Sequence, residues 1–118
     1  MNNKYIGKKG ELMAVEFLRK KNYKIIEKNY LKRSGEIDII AFDPKYNEYV
    51  FVEVKTRTNL NFGYPEEAVG KKKIIKIIKT AETWLSYKKI SNPEWRIDII
   101  SIDLSNKKPE IEHIENIS

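Results

Sequence analysis

Two segments of strand-like chemistry, Gly35-Glu36-Ile37-Asp38-Ile39-Ile40-Ala41 and Tyr49-Val50-Phe51-Val52-Glu53-Val54-Lys55, stand on either side of the turn-forming stretch Asp43-Pro44-Lys45-Tyr46-Asn47-Glu48. Apolar runs rich in β-branched residues and bounded by Pro and Asn favour an antiparallel hairpin, whose symmetry about the turn sets the register. Ala41 is then expected opposite Val50, Ile40 opposite Phe51, Asp38 opposite Glu53 and Glu36 opposite Lys55. No other feature constrains the chain as much, because like charges facing each other across a ladder are destabilising. A divalent cation between Asp38 and Glu53 would compensate, and Lys55 shares their face.

The remaining segments can pack on such a hairpin. From Tyr5 to Lys21 the spacing is helical: at ~100° per residue, Leu12, Ala14, Val15 and Leu18 share one broad arc and Glu11 falls in its middle. That carboxylate either points inward or is a half-exposed glutamate favoured by the dipole near the helix start. Asn22 to Leu31, with Tyr23, Ile25, Ile26 and Tyr30, reads as an edge-like strand ending in the turn residues Lys32-Arg33-Ser34-Gly35. Thr58 to Pro65 is expected to form a loop, and a long helix is expected from near Glu66. Its core stripe is Ile74, Ile78, Ala81 and Leu85 with Ile77 and Trp84 beside it, and Lys72, Lys73, Lys76 and Lys79 fall mostly on other faces. Ser91-Asn92-Pro93 closes that helix, after which Arg96 to Leu104 and Glu110 to Ile117 alternate as two further strands. The order predicts an α/β protein, a mixed sheet of about five strands flanked by two main helices, in a single domain over residues 1–118.

Composition narrows the chemistry. Lys and Arg number 23 against 17 acidic residues, a net charge of +6 that favours an anionic partner such as nucleic acid, although a lysine-rich solvated surface has the same balance. The chain has no cysteine, so disulfides and thiolate metal sites are excluded and any metal site must use oxygen ligands. No apolar run approaches the ~20 residues of a membrane span, and Met1-Asn2-Asn3-Lys4 leads into no signal-peptide core, so a cytoplasmic location is expected. Gly-rich phosphate loops and nucleophile elbows are missing, which argues against a nucleoside-triphosphate enzyme or a serine hydrolase. His113 has no second His or Cys to join it as a zinc ligand, and Trp84 and Trp95 read as hydrophobic anchors.

Phosphodiester hydrolysis needs a cation on the phosphoryl oxygen, an activated water, and stabilisation of the accumulating charge. Asp38, Glu53 and Lys55 can supply these. Hard oxygen ligands suit Mg2+ or Mn2+, which need only one or two carboxylates beside substrate phosphate, and the backbone carbonyl of Val54 could complete the set. Lys55 lies ~7 Å along the strand from Glu53, near enough for its side chain to reach a bound phosphate or water. A solvated strand face with a Glu36–Lys55 pair would carry the same charges. That face also holds Ile40 and Phe51, however, and charges embedded in a partly buried face need partners.

At these residues the chain resembles a known family. Gly35 to Ala41, Val50-Phe51-Val52-Glu53-Val54-Lys55-Thr56-Arg57, Phe62-Gly63 and Glu67-Ala68-Val69 look like the YraN-like family of uncharacterised proteins. Gly10-Glu11 and Arg96-Ile97-Asp98 extend the likeness over nearly the whole chain. That family is similar in turn to the restriction-endonuclease-like superfamily, whose PD-(D/E)XK signature corresponds to Asp38 and Glu53-Val54-Lys55, with a helix-borne carboxylate at Glu11 as in archaeal Holliday-junction resolvases. Ile37 stands where the signature has proline, and the chain contains no glutamine to match the helix-borne glutamine of some relatives. The resemblance implies a three-layer restriction-endonuclease-like fold, metal binding by Asp38 and Glu53, catalytic assistance from Lys55, and Glu11 lining the site.

Arg57, Lys71, Lys72, Lys73 and Lys76 are expected to flank the site and take phosphates without sequence preference. Lys71 to Lys73 stand near a helix start, where their charge opposes the dipole, so an anionic ligand is one reason for the run and Glu66 and Glu67 are another source of compensation. Phe62 to Pro65 either stacks bases beside the cleft or, as expected here, covers the sheet edge. Two readings follow: a metal-dependent nuclease acting on DNA, including branched or structured DNA, or a catalytically inactive nucleic-acid-binding module of the same fold that works with a protein partner. A charged hairpin that docks another surface is a third. Cutting two strands symmetrically would call for a homodimer.

Overall fold

A computed structural model of the chain describes residues 3–58, 70–91 and 93–117. Helix α1 (Asn3–Lys20) leads into strands β1 (Lys24–Lys32), β2 (Gly35–Asp43) and β3 (Glu48–Arg57), followed by helix α2 (Lys71–Tyr87) and strands β4 (Trp95–Asp103) and β5 (Glu110–Ile114). The strands lie in one sheet in chain order, with β1 and β5 at its edges. Neighbours are antiparallel except for β3 and β4, which run parallel because the connection through α2 crosses over. This is the α/β architecture expected, a mixed five-stranded sheet between two helices, as in the three-layer restriction-endonuclease-like fold. The expected loop at Thr58 to Pro65 and the helix start at Glu66 lie outside the described residues beyond Thr58. No helix among the described residues is long and apolar enough to cross a membrane.

Each face of the sheet buries its own core. On one face Ala14, Val15 and Leu18 of α1 cover Ile39, Ala41, Val50, Val52, Ile100 and Ile102. On the other, Ile77, Ala81, Trp84 and Leu85 of α2 cover Ile37, Ile40, Phe51, Ile97 and Ile99. Full burial of such side chains contributes roughly 1.5–3 kcal/mol each. Trp84 is the anchor expected of it, edge-on to Tyr49 and Phe51 with centroids 5.7 and 5.9 Å away, and its Nε1 donates to Glu27 Oε1 at 3.2 Å.

Two helical stripes are rotated from their sequence expectation. Leu12 is 60% exposed although it shares the apolar arc of α1. The reason is Gly10: a Cβ there would collide with Thr56 of β3, so α1 approaches the sheet through its glycine and turns Leu12 away. In α2, Ile77 and Thr80 are buried and Ile74 and Ile78 only half-buried, because Ser34 Oγ and Thr80 Oγ1 hydrogen-bond at 2.7 Å and tie the β1–β2 turn beneath that face. Gly35, at φ +153°, provides the backbone conformation that this tight turn requires.

Candidate active site

The hairpin has the expected register near its turn, with Asp43 opposite Glu48, Ala41 opposite Val50 and Ile40 opposite Phe51, but its paired ladder runs only as far as Ile39 opposite Val52. Beyond that point β2 keeps its pairing with β1, Glu36 lying opposite Leu31, and β3 its pairing with β4, Lys55 lying beside Ser101, so the expected Glu36–Lys55 pair is not formed. Asp38 and Glu53 do not form a ladder pair either: Asp38 Oδ2 accepts the Val54 N–H at 2.8 Å. A side chain thus takes a backbone donor where the two strands part. The alternation of β2 breaks at the same place, since Ile37 packs on the α2 side and Ile39 on the α1 side. Asn29 of β1, directly beside this break, holds φ 51°. Asparagine tolerates that left-handed conformation better than a branched residue would.

The parting strands leave two hollows that share their floor. One of about 420 Å³ opens toward α2 and is lined by Gly35, Glu36, Asp38, Glu53, Lys72, Lys73, Lys76 and Ile77. The other, about 290 Å³, opens toward α1 between Ile6, Gly7, Glu11, Asp38, Glu53, Val54 and Thr56. Asp38 and Glu53 therefore both line the gap between the strands, and the cross-ladder pairing that the turn symmetry predicts for them is not formed. Glu11 joins them from α1, carried over the gap by the close approach at Gly10. Asn29 Nδ2 steadies it, donating to Glu11 Oε1 at 2.9 Å and to Glu36 Oε1 at 3.3 Å.

Burial drives the Asp38 carboxyl up to about 7, and the negative charge of Glu53 adds to it, with Glu11 and Glu36 contributing less. The Val54 hydrogen bond opposes this but does not win. Glu53 is 5% exposed, and its Oε1 lies 2.8 Å from Lys73 Nζ and 3.5 Å from Lys55 Nζ. Burial disfavours the Lys73 ammonium, yet its bond to Glu53 and the charge of Asp38 outweigh that and raise its pKa. Two carboxylates in one gap, one of them driven toward neutrality by burial and by its neighbour's charge, form an oxygen donor set suited to a hard divalent cation.

Of the expected phosphate contacts, Lys72, Lys73 and Lys76 line the α2-side hollow, whereas Lys71, the first residue of α2, is exposed and lies outside its lining. Arg57 sits elsewhere, in a hollow with Ser101, Asp103, Glu110 and Glu112, because its parallel register places it beside Asp103 of β4. Sequence reasoning missed a second polar cluster at the turn end of the hairpin. There Arg96 reaches Asp98 at 3.0 Å, Glu48 at 2.8 Å, Asp43 at 3.1 Å and Glu115 at 3.2 Å. Its Nη2 also donates to Tyr23 Oη at 2.6 Å. His113 is not isolated: its Nε2 lies 2.7 Å from Asp98 Oδ2 and its Nδ1 2.7 Å from Lys21 Nζ. Asp98, His113 and Glu115 offer ligand atoms within 4.8 Å of one another, a group compact enough to hold a metal ion. Arg96, however, already supplies a cation to both carboxylates, which makes this group the less electrostatically needy of the two. The only sequence signal was the Arg96-Ile97-Asp98 alternation, which places both side chains on one strand face.

A model of the uncharacterised protein family UPF0102 matches residues 10–102. The chain is 47% identical over 116 residues to a UPF0102 protein of Geobacter metallireducens, covering 98% of this chain and 93% of that one. It is 50% identical over 105 residues to one of Dictyoglomus thermophilum, covering 89% and 87%. A UPF0102 protein of Clostridioides difficile is 47% identical over 116 residues, 98% of each chain.

Proposed function

The chain belongs to the uncharacterised protein family UPF0102, and from that premise we propose that it is a metal-dependent endonuclease that hydrolyses phosphodiester bonds in DNA, branched or structured DNA included. One observation carries the reading: Asp38 and Glu53 converge in the gap between β2 and β3, and burial and mutual repulsion drive Asp38 up to about 7. A buried carboxylate pair without full neutralisation costs stability, and a cation-binding role explains why such a pair would be kept.

In this reading Asp38 and Glu53 hold Mg2+ or Mn2+, with the Val54 carbonyl as a further ligand. When bound, such an ion polarises a phosphoryl oxygen and acidifies water. The residues of this chain do the rest. Lys55, on the same strand as Glu53 and 3.5 Å from its Oε1, places an ammonium beside the reacting phosphate and stabilises the charge that builds on it. Glu11 orients water from the α1 side. Lys72, Lys73 and Lys76 hold the sugar–phosphate backbone along the α2 side, a contact that gives affinity without sequence preference.

The test compares the wild type with Asp38→Asn and Glu53→Gln for manganese-dependent nicking of duplex, junction and single-stranded DNA, together with manganese calorimetry. Nicking by the wild type and a loss of at least about 100-fold in both variants is expected. DNA binding with neither manganese uptake nor nicking would overturn the reading in favour of an inactive nucleic-acid-binding module.

A further inference from the structure

Glu53 Oε1 is shared by two ammonium groups held in different ways. Lys55 reaches it at 3.5 Å from the next inward position of the same strand, with a side chain 26% exposed. Lys73 reaches it at 2.8 Å from the first turn of α2, across the hollow, with a side chain 45% exposed. The nearer cation is thus the one with more freedom to leave. A divalent ion bound by Glu53 would compete for this oxygen and repel an ammonium at that distance, so Lys73 cannot keep its place once the ion arrives. Its other destination is the hollow it lines with Lys72 and Lys76.

We propose that Lys73 is a displaceable counter-ion: it occupies Glu53 in the metal-free protein and, once a divalent ion takes Glu53, swings into the α2-side hollow to hold a phosphate of the nucleic acid. This inference rests on the metal-dependent reading above. It couples the two ligands of the cleft, because each ion bound frees one cation for the phosphate backbone. By linkage, nucleic acid held through Lys73 in turn favours the ion-bound protein.

The test uses the full chain at constant pH. Manganese affinity is measured by calorimetry for wild type, Lys73→Met, Lys73→Arg and Lys79→Met, the last a lysine of the same helix outside the cleft lining. Lys73→Met is expected to bind manganese roughly three- to tenfold tighter, as removal of a competing, half-exposed ion pair predicts. Lys73→Arg should remain near wild type and Lys79→Met within about twofold. Duplex DNA binding is then followed against salt, in calcium and in EDTA. The Lys73→Met slope should be shallower than wild type by about 1 in calcium and unchanged in EDTA. Equal or weaker manganese binding by Lys73→Met, or the same loss of slope in both media, overturns the inference while leaving the nuclease reading intact. Wild-type protein that binds no manganese overturns both.

Discussion

The two ends of the central hairpin solve the same electrostatic problem in opposite ways. At the turn end, Asp43, Glu48, Asp98 and Glu115 gather around Arg96, and the guanidinium fork serves all four. Arg96 is held more firmly protonated than usual: burial opposes this, but the bonds to Asp98 and Glu48 outweigh it. Asp43 is held below its ordinary value, since the Lys45 N–H and Arg96 overcome its burial. At the splayed end, Asp38 and Glu53 have no such fork. Among the described residues, the cations paired with them are Lys55 and Lys73, both on Glu53, and Asp38 is pushed up. One end is an internally satisfied fastening for β2, β3, β4 and the C-terminal segment. The other retains unmet charge, as a site must if an external ion is to complete it.

The strongest way to break this contrast is to remove the fork. Arg96→Met is expected to destabilise by about 3–5 kcal/mol, because Asp98 and Asp43, 0% and 2% exposed, would be left as buried charges without their partner. Urea denaturation would register the loss. A destabilisation below about 1 kcal/mol would show that His113, Tyr23 and Lys45 suffice without it.

Asp38→Asn is expected to do the reverse. Because burial and the charge of Glu53 push the folded carboxyl up to about 7, above the ordinary value of 3.8, its contribution to stability is fully present below about pH 4 and is lost as pH rises through about 7. The metal-free variant should therefore be more stable than wild type at pH 8, by roughly 2–3 kcal/mol after discounting for partial exposure, and the difference should vanish toward pH 4. The amide oxygen can still accept the Val54 N–H, so geometry is preserved. Paired denaturation curves across pH 4–8 give the answer, and equal stability at both extremes would mean that Asp38 is adequately neutralised in the fold.

Gly10→Ala comes next, at about 1–2 kcal/mol, since a methyl group there must displace Thr56 or lift α1 from β3. If α1 lifts, Glu11 leaves the gap, and manganese-dependent nicking should fall with thermal stability. Unchanged nicking in a destabilised variant would remove Glu11 from its water-orienting role.

These contrasts were unevenly legible in the sequence. Turn symmetry was enough to set Ile40 against Phe51, because a one-residue slip would have turned the apolar set outward. The same symmetry misplaced Asp38 and Glu53 as a ladder pair, since nothing local announces that a carboxylate will take the Val54 N–H and end the ladder. The family resemblance nevertheless pointed to both residues and to Glu11, which the structure gathers in one cleft. The Arg96 cluster was illegible for a different reason: Tyr23, Asp43 and Glu115 stand far from Arg96 along the chain and meet only through the sheet. The rotation of α2 was hidden likewise, because Thr80 is buried through a hydroxyl contact with Ser34 and not through hydrophobicity.

The smallest stability effect gives the sharpest comparison. Lys72 lies in the first turn of α2, which contains no acidic residue and follows Gly70, an N-cap without a side-chain hydrogen bond. Its positive charge there opposes the helix dipole, and neither it nor Lys76 makes an ion pair among the described residues. Lys72→Gln with Lys76→Gln should therefore leave stability unchanged or raise it by a few tenths of a kcal/mol. If the cleft holds a phosphate backbone, the same pair of changes should weaken duplex binding and reduce its salt slope by about 2. Anisotropy titrations at several salt concentrations, beside denaturation curves, measure both. Stability and affinity moving in opposite directions would mark these lysines as kept for a ligand, the converse of Arg96, which serves the fold. A salt slope equal to wild type would leave them as ordinary solvated surface and narrow the cleft to its carboxylates.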